Sequence, residues 1–181
     1  MKTLADQMSI YAAYHQDGRN KATHFVGVPV IILSLFIPLA WIRIPLGGFE
    51  LTGAMLFAGI VVAYYFVLDV PLALAMLATT ALLVWAGDAL AGLGYAAGLA
   101  WFLILFVGGW ALQLAGHVFE GRKPALADNL FQIFVAPIFL AAEVFFALGY
   151  KPKLHEEVQR RALQMRAEAS AARPGGSLKS A

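Results

Sequence analysis

The sequence predicts an all-α fold, a polytopic helical bundle built into a membrane, and three observations carry that prediction. Of 181 residues, 61% are hydrophobic and only 13% are charged, about half the charged share of an average soluble domain. Mean hydropathy is +0.73. The apolar residues gather in long uncharged runs, at about 25–42, 51–68, 70–87 and 89–116. These features exclude a water-soluble globule, a disordered chain and a coiled coil. Cysteine is absent, which excludes a disulfide scaffold, a thiol nucleophile and a cysteine metal site.

Each element follows in order. Residues 1–24 are polar and titratable, with His15, Arg19, Lys21 and His24 among them. A signal peptide would open with its basic residues and reach its apolar core and cleavage site sooner, so this segment is expected to be retained. Asp17-Gly18 is a turn signal: His15 closes one helix, and Asn20 to His24 open the next. The first three apolar runs, 18 residues each, would span about 27 Å as helix, close to the ~30 Å hydrocarbon core. Between the second and third, Asp69-Val70-Pro71 predicts a tight helical hairpin with Asp69 at the interface. Asp88 marks the next interface. Gly94, Gly98, Gly108, Gly109 and Gly116 in the fourth run suit close helix packing in lipid. Trp41, Trp85, Trp101 and Trp110 are assigned to interfaces and packing.

A fifth apolar stretch, 130–149, contains Pro137 and Glu143. It is predicted as a Pro-broken helical hairpin that does not cross, preceded by an N-cap at Asp128-Asn129, with Glu143 paired to a basic residue or a helix end. Residues 154–172 suit a basic helix on the membrane surface or in solvent, with Leu154, Val158, Leu163 and Met165 apolar. Pro174-Gly175-Gly176-Ser177 predicts a disordered end, and His155 a surface histidine. The chain thus divides into a membrane-embedded catalytic part, 1–150, and a basic C-terminal helix with a disordered tail, 151–181.

Charge sets the expected sides. Residues 151–181 hold seven Lys/Arg against three Glu, a basic tail suited to a membrane surface rather than to nucleic acid. With four main spans, five Lys/Arg flank the helices on one side and Arg43 alone the other. This places the N-terminus and the tail in the cytoplasm, on a bacterial inner membrane or, in a eukaryote, the endoplasmic reticulum. Parity then has a consequence: four spans return the chain to its starting side, so His15 and His24 share a face with His117. The sequence sets no oligomeric state.

The chemistry is expected there. Asn20 and His24 are four residues apart on one helix face. Gln113, His117 and Glu120 fall at i, i+4 and i+7, one polar stripe on an apolar helix. Three imidazoles, with Glu120 as a fourth ligand or an outer acceptor, suit Fe(II) or Zn(II) with positions open for substrate. Arg122 and Lys123 are candidates for binding an anionic substrate. Their alternative role is positive-inside signalling. No phosphate loop, nucleophile elbow or nucleotide fingerprint occurs.

The segments YHQDGRNKATHFVGVP (14–29) and QLAGHVFEGRKPALADNLFQIFVAPIFLAAEVFFALGY (113–150) closely resemble the 2-hydroxy fatty acid dioxygenase family. The match is close over these segments, while the middle spans correspond in length and hydropathy. The resemblance implies a small membrane enzyme performing Fe(II)-dependent α-oxidation, in which a 2-hydroxy fatty acid and O2 give the acid one carbon shorter and CO2. It implies His15, His24 and His117 as iron ligands, with Asn20, Gln113 and Glu120 in the same motif and Glu120 either a ligand or a base. The acyl chain would lie among the helices or in membrane lipid. A di-iron hydroxylase would need about twice the four histidines present. A zinc-dependent membrane lipid hydrolase is the rival enzyme reading, because the ligand types do not separate iron from zinc. A small non-enzymatic transporter is the rival from another class, although transport sites favour broken helices near the midplane.

Overall fold

A computed structural model describes residues 3–122, 124 and 130–171. Among these residues the fold comprises seven helices and one short β-hairpin. Helix α1 (Leu4–Tyr14) opens on a reciprocal cap: the Thr3 hydroxyl accepts from the Asp6 N–H, and the Asp6 carboxylate accepts from the Thr3 N–H. It ends at His15, and the turn that follows leads into α2 (Gly18–Ala40). The Asp17 carboxylate caps α2 by accepting from the Arg19 N–H. Arg19, through its guanidinium and its backbone, holds that carboxyl at about 2, so the helix start carries a permanent anion.

The far end of α2 leads into strands β1 (Arg43–Leu46) and β2 (Phe49–Thr52), paired antiparallel with Leu46 opposite Phe49. Gly47 and Gly48 both have positive φ, +53° and +99°, as a two-residue hairpin turn of this kind requires. The sequence reading contains no strands. The Gly-Gly pair between Arg-Ile-Pro-Leu and Phe-Glu-Leu-Thr was the available signal, hidden by the surrounding apolar runs.

Helices α3 (Gly53–Leu68) and α4 (Val70–Ala91) form the expected tight pair around Asp69. Its N–H donates to the Tyr65 carbonyl, and its carboxylate accepts from the Leu72 N–H. Helix α5 (Tyr95–Glu120) closes on Gly121 at φ +66°, a left-handed cap. Helices α2, α4 and α5 are long and apolar enough to cross a membrane, while α3 is shorter. Helix α6 (Gln132–Ala147) runs unbroken through Pro137, so the broken hairpin expected over 130–149 does not form. Pro137 lies in the second turn, where its missing N–H removes one bond near the helix start. The cap expected at Asp128-Asn129 lies outside the described residues, as does the expected tail at Pro174–Ser177.

Helix α7 (Pro152–Ala171) also departs from expectation. It does not lie free on a surface but docks on α1, burying Val158 and Ala162 completely. Leu154 is half-buried, while Leu163 and Met165 stay exposed. The docking stripe is therefore 154, 158 and 162, and alanine supplies a position that hydropathy alone does not flag. Arg161 reaches Asp6 at 2.9 Å, and His155 stacks on Phe146.

Helix α2 is the axis of the bundle and lies against α5 with glycines between them. A Cβ at Gly109 would stand 2.6 Å from the Ile31 side chain, and one at Gly116 2.2 Å from the Thr23 hydroxyl. Gly98 gives a less tight approach, 3.1 Å from an added Cβ to Trp41, whereas Gly94 starts α5 at φ +98° and Gly108 faces open space.

The ends of the bundle are distinct. At one end Arg43 pairs with Asp88 at 2.7 Å and Trp41 packs on Tyr95. At the other, Lys151 pairs with Asp69, Lys21 with Glu143 at 2.7 Å, and Glu120 accepts from the Asp17 N–H. The N-terminal helix, the end of α5 and the C-terminal helix thus meet at one end.

Candidate metal centre

That end holds the histidines. His15 is the C-cap of α1, His24 lies in the second turn of α2 and His117 in the last turn of α5. All three are buried, and each offers a ring nitrogen within 4.8 Å of the others. The small residue at Gly116 lets α5 approach α2 closely enough for His117 to meet His24, since a Cβ there would stand 3.2 Å from the His24 Nδ1.

Hydrogen bonds fix the ring tautomers. His15 Nδ1 lies 2.8 Å from the Tyr11 carbonyl, and His24 Nδ1 lies 2.8 Å from the Asn20 carbonyl. Carbonyls only accept, so both Nδ1 atoms carry the proton and both Nε2 atoms present lone pairs. Those two Nε2 atoms face each other at 3.2 Å. Two lone pairs at that distance repel unless a cation lies between them. A proton is opposed at His15, where burial first, and then the neighbouring His24 and His117 rings, push the pKa well below its ordinary value. A divalent metal fits: nitrogens about 2.0–2.1 Å from one ion stand at this separation, and backbone carbonyls on the far nitrogens are the usual outer support. His117 Nδ1 is buried with no hydrogen-bond partner, consistent with a ring whose coordination is incomplete without an ion. Tyr11 stacks flat on His15, with ring centres 4.0 Å apart, and fixes its plane.

The other predicted site residues fall in distinct places. Glu120 Oε2 accepts from the Gln16 N–H, the Asp17 N–H and the Asn20 side-chain amide at 2.8–3.2 Å, and Oε1 accepts from Arg166 at 2.5 Å. Both carboxylate oxygens are therefore committed to the turn between α1 and α2 and to α7. Asn20 stands between Glu120 and His24: its side-chain amide donates to Glu120, and its backbone carbonyl accepts from the His24 Nδ1–H. Gln113 is buried one turn before His117 and lines a cavity of about 220 Å³ that opens from the imidazoles into the bundle. Arg122 is half-buried beyond the α5 cap and does not line that cavity, although Pro124 does. Lys123 lies outside the described residues.

Two residues at this site escaped the sequence reading. Arg166 bonds Glu120 and also the Ala13 carbonyl. It is 46 residues from its partner on a helix that reads as surface, and nothing local announces it. Gln132 lines the cavity, is 1% exposed, and neither of its amide atoms has a partner. A glutamine opening an apolar helix in lipid was the available signal.

The family model described as 2-hydroxy-palmitic acid dioxygenase Mpo1-like matches residues 1–148. The chain is 36% identical over 174 residues to the 2-hydroxy-palmitic acid dioxygenase MPO1 of Saccharomyces cerevisiae, covering 90% of this chain and 94% of that protein. No solved structure matches.

Proposed function

The chain belongs to the Mpo1-like family, and from that premise we propose that it is an Fe(II)-dependent dioxygenase that shortens 2-hydroxy fatty acids by one carbon. The observation that carries the proposal is the facing pair of lone-pair nitrogens on His15 and His24, with His117 beside them. The reaction balances: a 2-hydroxy acid and O2 give the acid one carbon shorter, CO2 and water. Bound iron would supply the redox chemistry and an electrostatic anchor for an anionic headgroup.

The protein's own residues do the rest. His15, His24 and His117 hold the ion as neutral ligands, which leaves its positive charge undiminished. Glu120 and Asn20 keep the α1–α2 turn in place, so the two N-terminal rings stay aimed at the third. Gln113 presents an amide at the cavity's metal end, and Arg122 and Lys123 are assigned to the free carboxylate oxygen. The apolar cavity takes the acyl chain out of water, worth ~0.8 kcal/mol per buried CH2. The metal end would face the cytoplasm.

The test is metal analysis and turnover of 2-hydroxypalmitate by the purified protein. Iron near stoichiometry and pentadecanoate with CO2 are expected. Single His15→Ala, His24→Ala and His117→Ala variants should lose iron by more than the ~10–100-fold that outer-partner changes cost. Stoichiometric zinc, with the substrate left intact under O2, would overturn the dioxygenase reading.

A further inference from the structure

We propose that the cavity beneath the imidazoles is a closed-ended channel that measures the acyl chain, with Phe36 as its floor and Phe57 and Thr80 as the walls just above it. The inference rests on the dioxygenase reading for the nature of the headgroup, and on independent geometry for the length of the chain.

Helix α2 gives the depth, and α3 and α4 give the lower walls. On α2 the lining residues form a single stripe from His24 through Val28, Ile31 and Leu35 to Phe36. Twelve residues of helix separate its ends, about 18 Å. On α3 the lining runs from Tyr65, near the Asp69 turn at the metal end, back to Phe57. Phe57 is twelve residues from Asp69, again about 18 Å. On α4 the deepest lining residue is Thr80, eleven residues past Asp69 and so about 17 Å down. Phe57 and Thr80 therefore lie level with each other, while Phe36, which a Cβ at Gly87 would meet at 2.8 Å, sits about 10 Å farther along α4 than Thr80 and ends the channel.

That depth has a meaning in a bilayer. Half of a ~30 Å hydrocarbon core is about 15 Å, the space that one lipid acyl chain occupies in its leaflet. A chain held by its headgroup at the metal end would thus place its methyl end at the floor. The walls between are mainly aliphatic and aromatic, without a charged side chain among the described lining residues. The occupant is accordingly a single unbranched chain of common membrane length. Specificity is set where the chain stops: Phe36 is buried and braced against Gly87, whereas Thr80 is half-buried and Phe57 packs on Phe134 near the surface. Thr80 and Phe57 are therefore the positions where side-chain volume can change with the bundle intact.

The experiment measures competition by laurate, myristate, palmitate and stearate against a fluorescent fatty acid on full-length purified protein. These probes lack the 2-hydroxyl, so binding is read apart from turnover. Affinity should rise about fourfold per methylene while the channel fills, then level off. Thr80→Phe should move the levelling-off to a shorter chain, and Phe57→Ala to a longer one. Superimposable length profiles for wild type and both variants, or no measurable binding of any chain, would overturn the proposal. Turnover of the matching 2-hydroxy acids separates the two ideas. Length-selective binding without oxidation of any 2-hydroxy acid sinks the dioxygenase reading and leaves the channel. Oxidation with an unchanged length profile in both variants sinks the channel and leaves the dioxygenase.

Discussion

A carboxylate inside a membrane bundle is costly unless its lone pairs are taken, and Glu120 meets that condition with two backbone N–H groups, an amide and a guanidinium. Its side chain is 1% exposed and that of Arg166 26%. Arg166 is thus a positioning residue for the metal end: through Glu120 it steadies the turn between His15 and Asn20. Arg166→Met should cost about 1.5–3 kcal/mol, the worth of a hydrogen bond to a charged group, and lower metal occupancy in parallel. Arg166→Lys keeps the charge but not the planar fork, and should recover part of both. Wild-type metal content in Arg166→Met would show that the contact is structural alone. The three histidines were legible in the sequence because their clusters interrupt apolar runs at helical spacing. Arg166 was not, since its role exists only once α7 lies on α1.

Helices α2 and α5 bring their histidines together because glycine removes side chains at the crossing. A methyl group at Gly116 would meet the Thr23 hydroxyl at 2.2 Å and the Asn20 side-chain oxygen at 2.5 Å, both on the segment that carries His24. Gly116→Ala should therefore push α5 away from α2, with a cost of about 1–3 kcal/mol from overpacking and a larger fractional loss of metal. Gly108→Ala is the control, because nothing lies within 4 Å of its added Cβ. Equal metal content in the two variants would refute the crossing as the cause of the assembled site. The sequence marked these glycines as packing residues without saying which ones pack. That depends on the face each turns to its neighbour, and Gly108 and Gly109, adjacent in the chain, have opposite fates.

At the scale of the whole molecule, the metal end and the hairpin end are separated by the length of α2. The chain contains no cysteine, so single introduced thiols report sidedness cleanly. Lys153→Cys lies at the metal end and Glu50→Cys on the hairpin, both exposed. In oriented vesicles a membrane-impermeant maleimide should label them from opposite sides, with Lys153→Cys accessible from the cytoplasm. Labelling of both from one side would overturn the spanning arrangement.

Composition and the spacing of apolar runs determined by themselves that this chain is a helical membrane bundle, because burying backbone in lipid leaves few other solutions. The expected even number of crossings put the two histidine clusters at one end of the bundle, and the three imidazoles do lie together there. Tertiary structure alone decided that the imidazoles meet nitrogen to nitrogen, that Glu120 is pinned by Arg166, and that α7 covers α1. Those outcomes depend on which faces of distant helices touch, and periodicity along one helix carries no information about its partner. The depth of the channel is likewise set by where Phe36 of α2 meets Gly87 of α4.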